Sequence, residues 1–348
     1  MNLLIGSTEA FSGKSAIALG LALHLRAKNI EVRYAKPLGN LQVGGEDEDC
    51  LFVQSQLGAA VPILPPLAFL DRGSVRRRLN GEDTVNYVER LPNYGASQAG
   101  GVCLIEAAGT PQEGALYGLT LQALAEHLPA RVLVVCRYHT DLVIDNLLAL
   151  RQQLGNRLLG AILNDVPEDH LEDIRAVLVP FIESQGIGVF GVLPADRILR
   201  SLSVEALAHA LGAEVLCCPE RLDLMVESFN IGAMSVNAAL KYFRKSENKA
   251  VITGGDRTDI QLAALETSTT CLILTGHLPP TAGTLARAEQ LEVPILSVNH
   301  DTLATVEIIE RIFGQVRFRE PIKVKRIQKL LERNFDFVRF EKLLGLGD

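Results

Sequence analysis

Short apolar runs recur along the first part of the chain: "NLLIGS", "EVRYAKP", "GVCLIEAAG", "RVLVVC", "RLLGAILN" and "IGVFGVLP". Most are apolar at successive positions rather than alternating, and helix-like segments separate most of them. A strand of that kind has both faces covered, so the pattern predicts an α/β fold: a mostly parallel sheet with helices on both faces, over residues 1–212.

A second alternation follows, in shorter pieces: "KAVIT", "DIQLAALETS", "TCLILTG", "PTAGTLARAEQLE", "VPILSV" and "TLATVEIIERIF", ending near residue 318. It predicts a smaller α/β domain. Between the two sets, "LGAEVLCCPERLDL" has no Gly/Ser enrichment and reads as a short ordered junction. The expected organisation is therefore 1–215, 216–318 and a helical tail over 319–348. In that tail Ile322, Ile327, Leu330, Leu331 and Phe335 stand among charges at near-helical spacing, which predicts a docked helix rather than a membrane or nucleic-acid arm. The region 59–100, with Pro62, Pro65, Pro66, Pro92 and the triplet Arg76, Arg77, Arg78, reads as a surface excursion of the sort that often lies over a site.

Composition adds exclusions. The chain of 348 residues is long enough for two cores, and 48% hydrophobic with 22% charged residues is ordinary for a globular α/β protein. A net charge of -7 without a basic stripe leaves no electrostatic footprint for nucleic acid. Six cysteines, at 50, 103, 136, 217, 218 and 271, show no C-x-x-C spacing, and buried reduced thiols are the expectation. No cationic leader precedes the first apolar run and no run reaches the ~18 residues of a membrane span, so a cytoplasmic location is expected.

The chemistry begins at "STEAFSGKSA". A Walker A loop needs Gly, four residues, then Gly-Lys-Ser/Thr, so that backbone N–H groups and a helix N-terminus surround phosphate oxygens. Here Thr8 takes the first glycine position and Gly6 lies two residues earlier. The reacting end is intact: Gly13 admits close backbone approach, Lys14 offers a cation to phosphates and Ser15 a hydroxyl to Mg²⁺. Thr8, Glu9, Ser12, Gly13, Lys14 and Ser15 are the candidate nucleotide-binding positions. Magnesium prefers oxygen ligands, which makes Asp49 in "GGEDEDCLF" and Glu106 at the end of "GVCLIE" the candidate carboxylates, with Asp47 and Glu48 as neighbours of the first. Asp49 equally suits a helix N-cap, whereas a carboxylate after apolar strand residues has few structural reasons to be there.

In "ITGGDRTDIQLAALE" two glycines end a strand and a helix follows. Gly254, Gly255, Asp256 and Arg257 could present N–H groups and a guanidinium to an anion; equally, the glycines turn the chain and Asp256 or Thr258 caps the helix. His139, in "CRYHTDLV", stands at a strand end, and the seven histidines form no nucleophile-activating pattern.

The segments "STEAFSGKS", "YAKPLGN", "EDEDCLF", "LIEAAG" and "LGAILN" follow the order found in dethiobiotin synthetase and related P-loop amidoligases. With "VFGVLPADRILRSLSVEALAHALGAEVL" the chain more closely resembles the dethiobiotin-synthetase-like N-terminal domain of long phosphate acetyltransferases. "IGAMSVNAALKYFRK" and "VITGGDRTDIQLAALET" resemble a DRTGG domain, though the name motif here reads Gly254-Gly255-Asp256-Arg257-Thr258. The resemblance implies ATP and Mg²⁺ as cofactors, Ser15, Asp49 and Glu106 around the metal, Asn164 near the base, and Lys36 facing the γ-phosphate, so that Lys14 and Lys36 are the candidate catalytic lysines. Departures are a loop one residue longer than in dethiobiotin synthetase, "AAGTPQEG" in place of its glycine-rich stretch, and Asp165 after Asn164.

From this the chain is expected to be an ATP/Mg-binding regulatory or adaptor protein with a nucleotide- or metabolite-sensing second domain; a weak ATPase activity is compatible with that reading. The alternative is an ATP-dependent amidoligase, and a third reading is a scaffold with a degenerate site. The chain stops after the DRTGG-like region, so acetyl transfer by it alone is not expected. The resemblance further implies a homo-oligomer, and the regulatory reading expects an acyltransferase or other metabolic enzyme as partner.

Overall fold

Seven strands form the first sheet of the computed structural model, which describes residues 1–40, 42–43, 46–95, 101–316, 318 and 320–346. They are β1 (Asn2–Ser7), β2 (Val32–Ala35), β3 (Ile63–Leu64), β4 (Val102–Glu106), β5 (Ala130–Arg137), β6 (Leu158–Val166) and β7 (Gly188–Pro194). Their order is β7-β6-β5-β1-β4-β2-β3, and every neighbouring pair is parallel. β1 lies between β4 and β5 and is buried at all its positions, as its unbroken apolar sequence requires at a sheet centre. Gly44, Gly45 and the end of the proline-rich excursion, 96–100, lie outside the described residues.

Helix α1 (Lys14–Ala27) follows β1 directly; α2 (Glu48–Leu57), α3 (Arg72–Leu79), α4 (Leu121–His127) and α5 (Val143–Leu154) come next. Leu124 of α4 and Leu147 and Leu150 of α5 share a core with Leu4, Ile105 and Val134, one face of the sheet. Within the excursion, Arg77 donates to Ser74 Oγ and Arg78 to the carbonyls of Asp83 and Val85, so both have structural partners.

The second unit has the sheet order β8-β12-β11-β10-β9, built from β8 (Glu214–Cys217), β9 (Ser228–Ile231), β10 (Lys249–Gly254), β11 (Thr269–Thr275) and β12 (Ile295–Ser297). Only the edge pair β8–β12 is antiparallel. Its helices are α6 (Val204–Leu211), α7 (Val236–Phe243), α8 (Thr258–Leu265), α9 (Ala282–Gln290) and α10 (Thr302–Gly314). Ala250 and Ile252 face Leu207 and Ile309, while Val251 between them faces Phe243 and Ile260, the two-residue period of a strand covered on both sides.

By packing, the chain divides into Met1–Ala195 with Phe318–Asp348, and Asp196–Arg317. The stretch expected to be a junction is thus inside the second unit, because its "EVLC" pairs with Ile295–Ser297 as an edge strand. The tail is not a separate piece. It forms α11 (Pro321–Asn334) and α12 (Phe337–Leu343) within the first unit, and α11 packs on α1. Ile327, Leu330, Leu331 and Phe335 are buried as their spacing predicts, whereas Ile322 is exposed and Lys323 is buried in its place, paired with Glu320 at 2.8 Å. All six cysteines are reduced and buried.

Candidate phosphate-binding site

Residues 8–13 connect β1 to α1 at the carboxyl end of the sheet. The chain leaves β1 for β2 on one side and later crosses to β5 on the other, so the loop stands at a topological switch point, where open α/β sheets form crevices. Gly13 is the residue before α1 and has φ +90, a left-handed conformation natural to glycine. It offers no capping side chain, so the first N–H groups of α1 are left for whatever enters the loop. By contrast α2, α4 and α6 are capped by Asp47, Thr120 and Ser203. A Cβ at Gly13 would stand 2.4 Å from Asn164 Nδ2, and that same nitrogen donates to the Ser12 carbonyl at 2.8 Å. Asn164, expected near the base, here braces the loop from the end of β6.

Glu106 is the centre of the site. Parallel register sets it opposite Ile5, and it is buried. Oε1 accepts from Lys14 Nζ at 3.1 Å and from Ser15 Oγ at 2.7 Å, while Oε2 accepts from the Tyr34 hydroxyl at 2.6 Å. Burial alone would raise its pKa, but the Lys14 and Lys36 charges and the hydrogen bonds from Tyr34 and Ser15 outweigh it and hold the carboxyl below its ordinary value. Tyr34 shifts the other way: burial and the adjacent Glu106 carboxylate keep its hydroxyl protonated, and hence a donor.

Beside this group lies a second one. Lys36 Nζ contacts both Asp47 oxygens, at 3.0 and 3.1 Å, and Asp49 Oδ2 at 2.5 Å. Burial opposes its charge, yet Asp49, Glu106 and Asp47 together hold the ammonium above its ordinary value. Asp47, not Asp49, is the N-cap of α2, accepting from the N–H groups of Asp49 and Cys50. It also accepts from the Asn40 N–H, tying the segment after β2 to the start of α2.

The structure therefore brings Lys14, Ser15 and Glu106 together, while Asp49 meets Lys36. Thr8 lies against Cys136, whose thiol burial pushes up to about 12. Glu9 is engaged by His139 Nε2 at 2.8 Å. Ser12 Oγ is buried with no hydrogen-bond partner among the described residues. The donor set is all oxygen, as a hard cation requires, and the orphaned Ser12 hydroxyl and uncapped α1 suit an anion; the residues fit a magnesium–phosphate group. Among the described residues no three His, Cys, Asp or Glu side chains form a metal cage, so such a cation would draw further ligands from phosphate and water. Sequence reasoning missed Tyr34, although the strand period places it on the face of Lys36, two residues on.

In the second unit, Gly254 and Gly255 are held by Gln261, whose Nε2 donates to both carbonyls at 3.0 Å. A Cβ on Gly255 would meet Leu278 O at 2.0 Å, which explains the glycine. Arg257 turns back on Asp259, at 3.1 Å, and on the Met234 carbonyl at 3.0 Å. Its neighbours are intramolecular, and it, rather than Asp256 or Thr258, occupies the N-cap position of α8.

The central parallel sheet and its glycine–lysine–serine loop define a P-loop protein of the nucleotide-binding class. The AAA domain family model matches residues 1–228, well over half the chain, and the protein belongs to that family; the DRTGG domain model matches residues 206–312. Along nearly its whole length the chain is similar to proteins named phosphate acetyltransferase. That of Nitratidesulfovibrio vulgaris is 27% identical over 96% of this chain and 50% of its own, and that of Synechocystis sp. 23% over 99% and 51%. The chain thus spans about half the length of the curated relatives it matches. Among solved structures, the CBS and DRTGG domains of Clostridium perfringens pyrophosphatase, complexed with diadenosine tetraphosphate, are 20% identical over 43% of this chain and 73% of that one, with a TM-score of 0.29. MinD from Pyrococcus horikoshii, complexed with Mg-ADP, is 19% identical over 57% and 84%, with a TM-score of 0.36. No helix of the described residues is long and apolar enough to cross a membrane.

Proposed function

We propose that the first unit binds ATP with Mg²⁺ at residues 8–15, and that the protein serves as a regulatory or adaptor protein whose output depends on that nucleotide. The observation that carries the reading is the meeting of Lys14 and Ser15 on one oxygen of Glu106. Lys14 cannot hold Glu106 and a triphosphate at full strength at once. With nucleotide bound, Lys14 would turn to the phosphates and Ser15 with Glu106 would hold the cation, whose charge would neutralise phosphate. Asp49 joins them to the extent that Lys36 releases it. The three carboxylate contacts on Lys36 favour binding over turnover, since a lysine so engaged is poorly placed to follow charge on a transferring phosphoryl group. Relatives named phosphate acetyltransferase carry the matching region within a longer chain, so an acyltransferase is the partner proposed.

The test is calorimetric titration with ATP, with and without Mg²⁺. Wild type is expected to bind ATP tightly and release ADP slowly, and Lys14→Ala to weaken binding by about 10–100-fold, the worth of a charge-assisted hydrogen bond. Unchanged ATP affinity in Lys14→Ala removes the proposal. Rapid ADP release stimulated by a carboxylate acceptor replaces the regulatory reading with the amidoligase one.

A further inference from the structure

We infer that Tyr34 is a positioning residue for the proposed magnesium site: its hydroxyl holds Glu106 Oε2, so that Oε1 is the oxygen presented to the loop and to the cation. The inference rests on the nucleotide reading above and deepens it by naming what fixes its carboxylate.

The argument starts from register. β2 and β4 are parallel neighbours with Tyr34 opposite Leu104, and β4 continues to Glu106 two residues later. Residues two apart on a strand share a face, so Tyr34, Leu104 and Glu106 lie on the same side of the sheet. The Tyr34 ring is fully buried, and its hydroxyl reaches Glu106 Oε2 at 2.6 Å. A carboxylate at a strand end has a free torsion about its last bond. Here the two oxygens have different partners: Oε2 takes the tyrosine, and Oε1 takes Lys14 and Ser15. Lys14 and Ser15 lie in the first turn of α1 and, in the nucleotide reading, change partner when ligand enters. Tyr34 does not, because it comes from a sheet strand and its fully buried side chain spends its hydroxyl on Glu106 itself. It is the contact that persists while the others exchange, which is the requirement for a ligand held in place beforehand.

Phenylalanine would fill the same space and delete only the donor. The experiment measures ATP binding to the full-length Tyr34→Phe protein across a Mg²⁺ titration, beside wild type, Glu106→Gln and the double variant. Expected are wild-type affinity for Mg²⁺-free ATP and a roughly tenfold increase in the Mg²⁺ needed for half-maximal enhancement, the loss of one hydrogen bond to a charged group. In the Glu106→Gln background Tyr34→Phe should add nothing further. Equal weakening of Mg²⁺-free and Mg²⁺-bound ATP, or losses that add in the double variant, marks Tyr34 as merely structural and overturns the inference. If wild type binds no ATP at any Mg²⁺ concentration, the functional proposal falls; a ligand-free crystal structure of Tyr34→Phe then decides positioning separately, and a Glu106 carboxylate that has not moved overturns it.

Discussion

Gly13 carries two demands at once. Its φ of +90 is unfavourable for a side chain, and its missing Cβ leaves room for the Asn164 amide that supports the Ser12 carbonyl. Gly13→Ala should therefore destabilise the protein by about 1–3 kcal/mol, the cost of a strained backbone plus displacement of Asn164. Thermal or urea melts measure it. Since the steric part runs through one side chain, Gly13→Ala with Asn164→Ala should cost less than the two single changes summed, and strict additivity would mean that backbone strain alone sets the cost. Lys36 makes the converse case. Its charge lies among Asp47, Asp49 and Glu106, so Lys36→Met leaves buried carboxylates without their cation. A loss of about 3–5 kcal/mol is expected from melts, with part restored by Asp47→Asn. A loss below 1 kcal/mol would mean that water replaces the ammonium at no great cost.

At the scale of elements, the contact between α1 and α11 is set by Gly20, where an added Cβ would stand 2.4 Å from Leu331 Cδ1. Leu331→Ala should cost about 2–5 kcal/mol through the cavity it leaves, and Gly20→Ala about 1–3 kcal/mol by overpacking. Combined, the two should partly rescue each other in a melt. Next to this contact, the Phe337 ring of α12 stacks on His24 at 3.6 Å, and Glu341 accepts from His24 at 2.8 Å and Lys28 at 2.6 Å. Burial works against the Glu341 charge, but the hydrogen bonds from His24 and Lys28 prevail and hold its pKa below the ordinary value. Because the folded value is the lower one, this stabilisation is present above the unfolded glutamate pKa of about 4.3 and is lost as pH falls through the folded value. Glu341→Gln should lower stability at pH 7 and flatten the acid limb of a melting-temperature profile below about pH 4.3. An acid limb identical to wild type would show that Glu341 makes no folding-linked contact. Most strands were legible because continuous apolar runs leave few other options; the two-residue edge strand β3 and the edge strand β8, read as part of a junction, were not. β9 was not, since "SFNI" is half-buried at a sheet edge and mixes polar with apolar residues. Lys14, Ser15 and Glu106 were legible from a motif and a strand end. The partners of Asp49 and the brace supplied by Asn164 depend on register and loop path, which local spacing does not carry.

For the whole molecule, the first unit is discontinuous in sequence, its last helices coming from beyond residues 196–317. Its stability should respond to changes in α11, and that of the second unit should not. Hydrogen exchange on full-length Leu331→Ala is expected to show lost protection in β1, β4 and α1 with β10 and β11 unchanged. Uniform loss would mean that both units unfold as one. The same measurement bears on regulation. Saturating ATP with Mg²⁺, at about one hundred times its dissociation constant, adds about 2.7 kcal/mol to whatever unfolds with the binding site. Binding alone confines that gain to the first unit. A regulatory protein needs more: the nucleotide must have different affinity for two arrangements of the chain, and the difference must reach the second unit. The expected signature is altered exchange at residues 254–261, where Gln261 holds the Gly254 and Gly255 carbonyls, on adding Mg-ATP to wild type but not to Lys14→Ala. Protection gained only in the first unit would place any regulatory output at a surface of that unit, and leave the second unit to a ligand of its own.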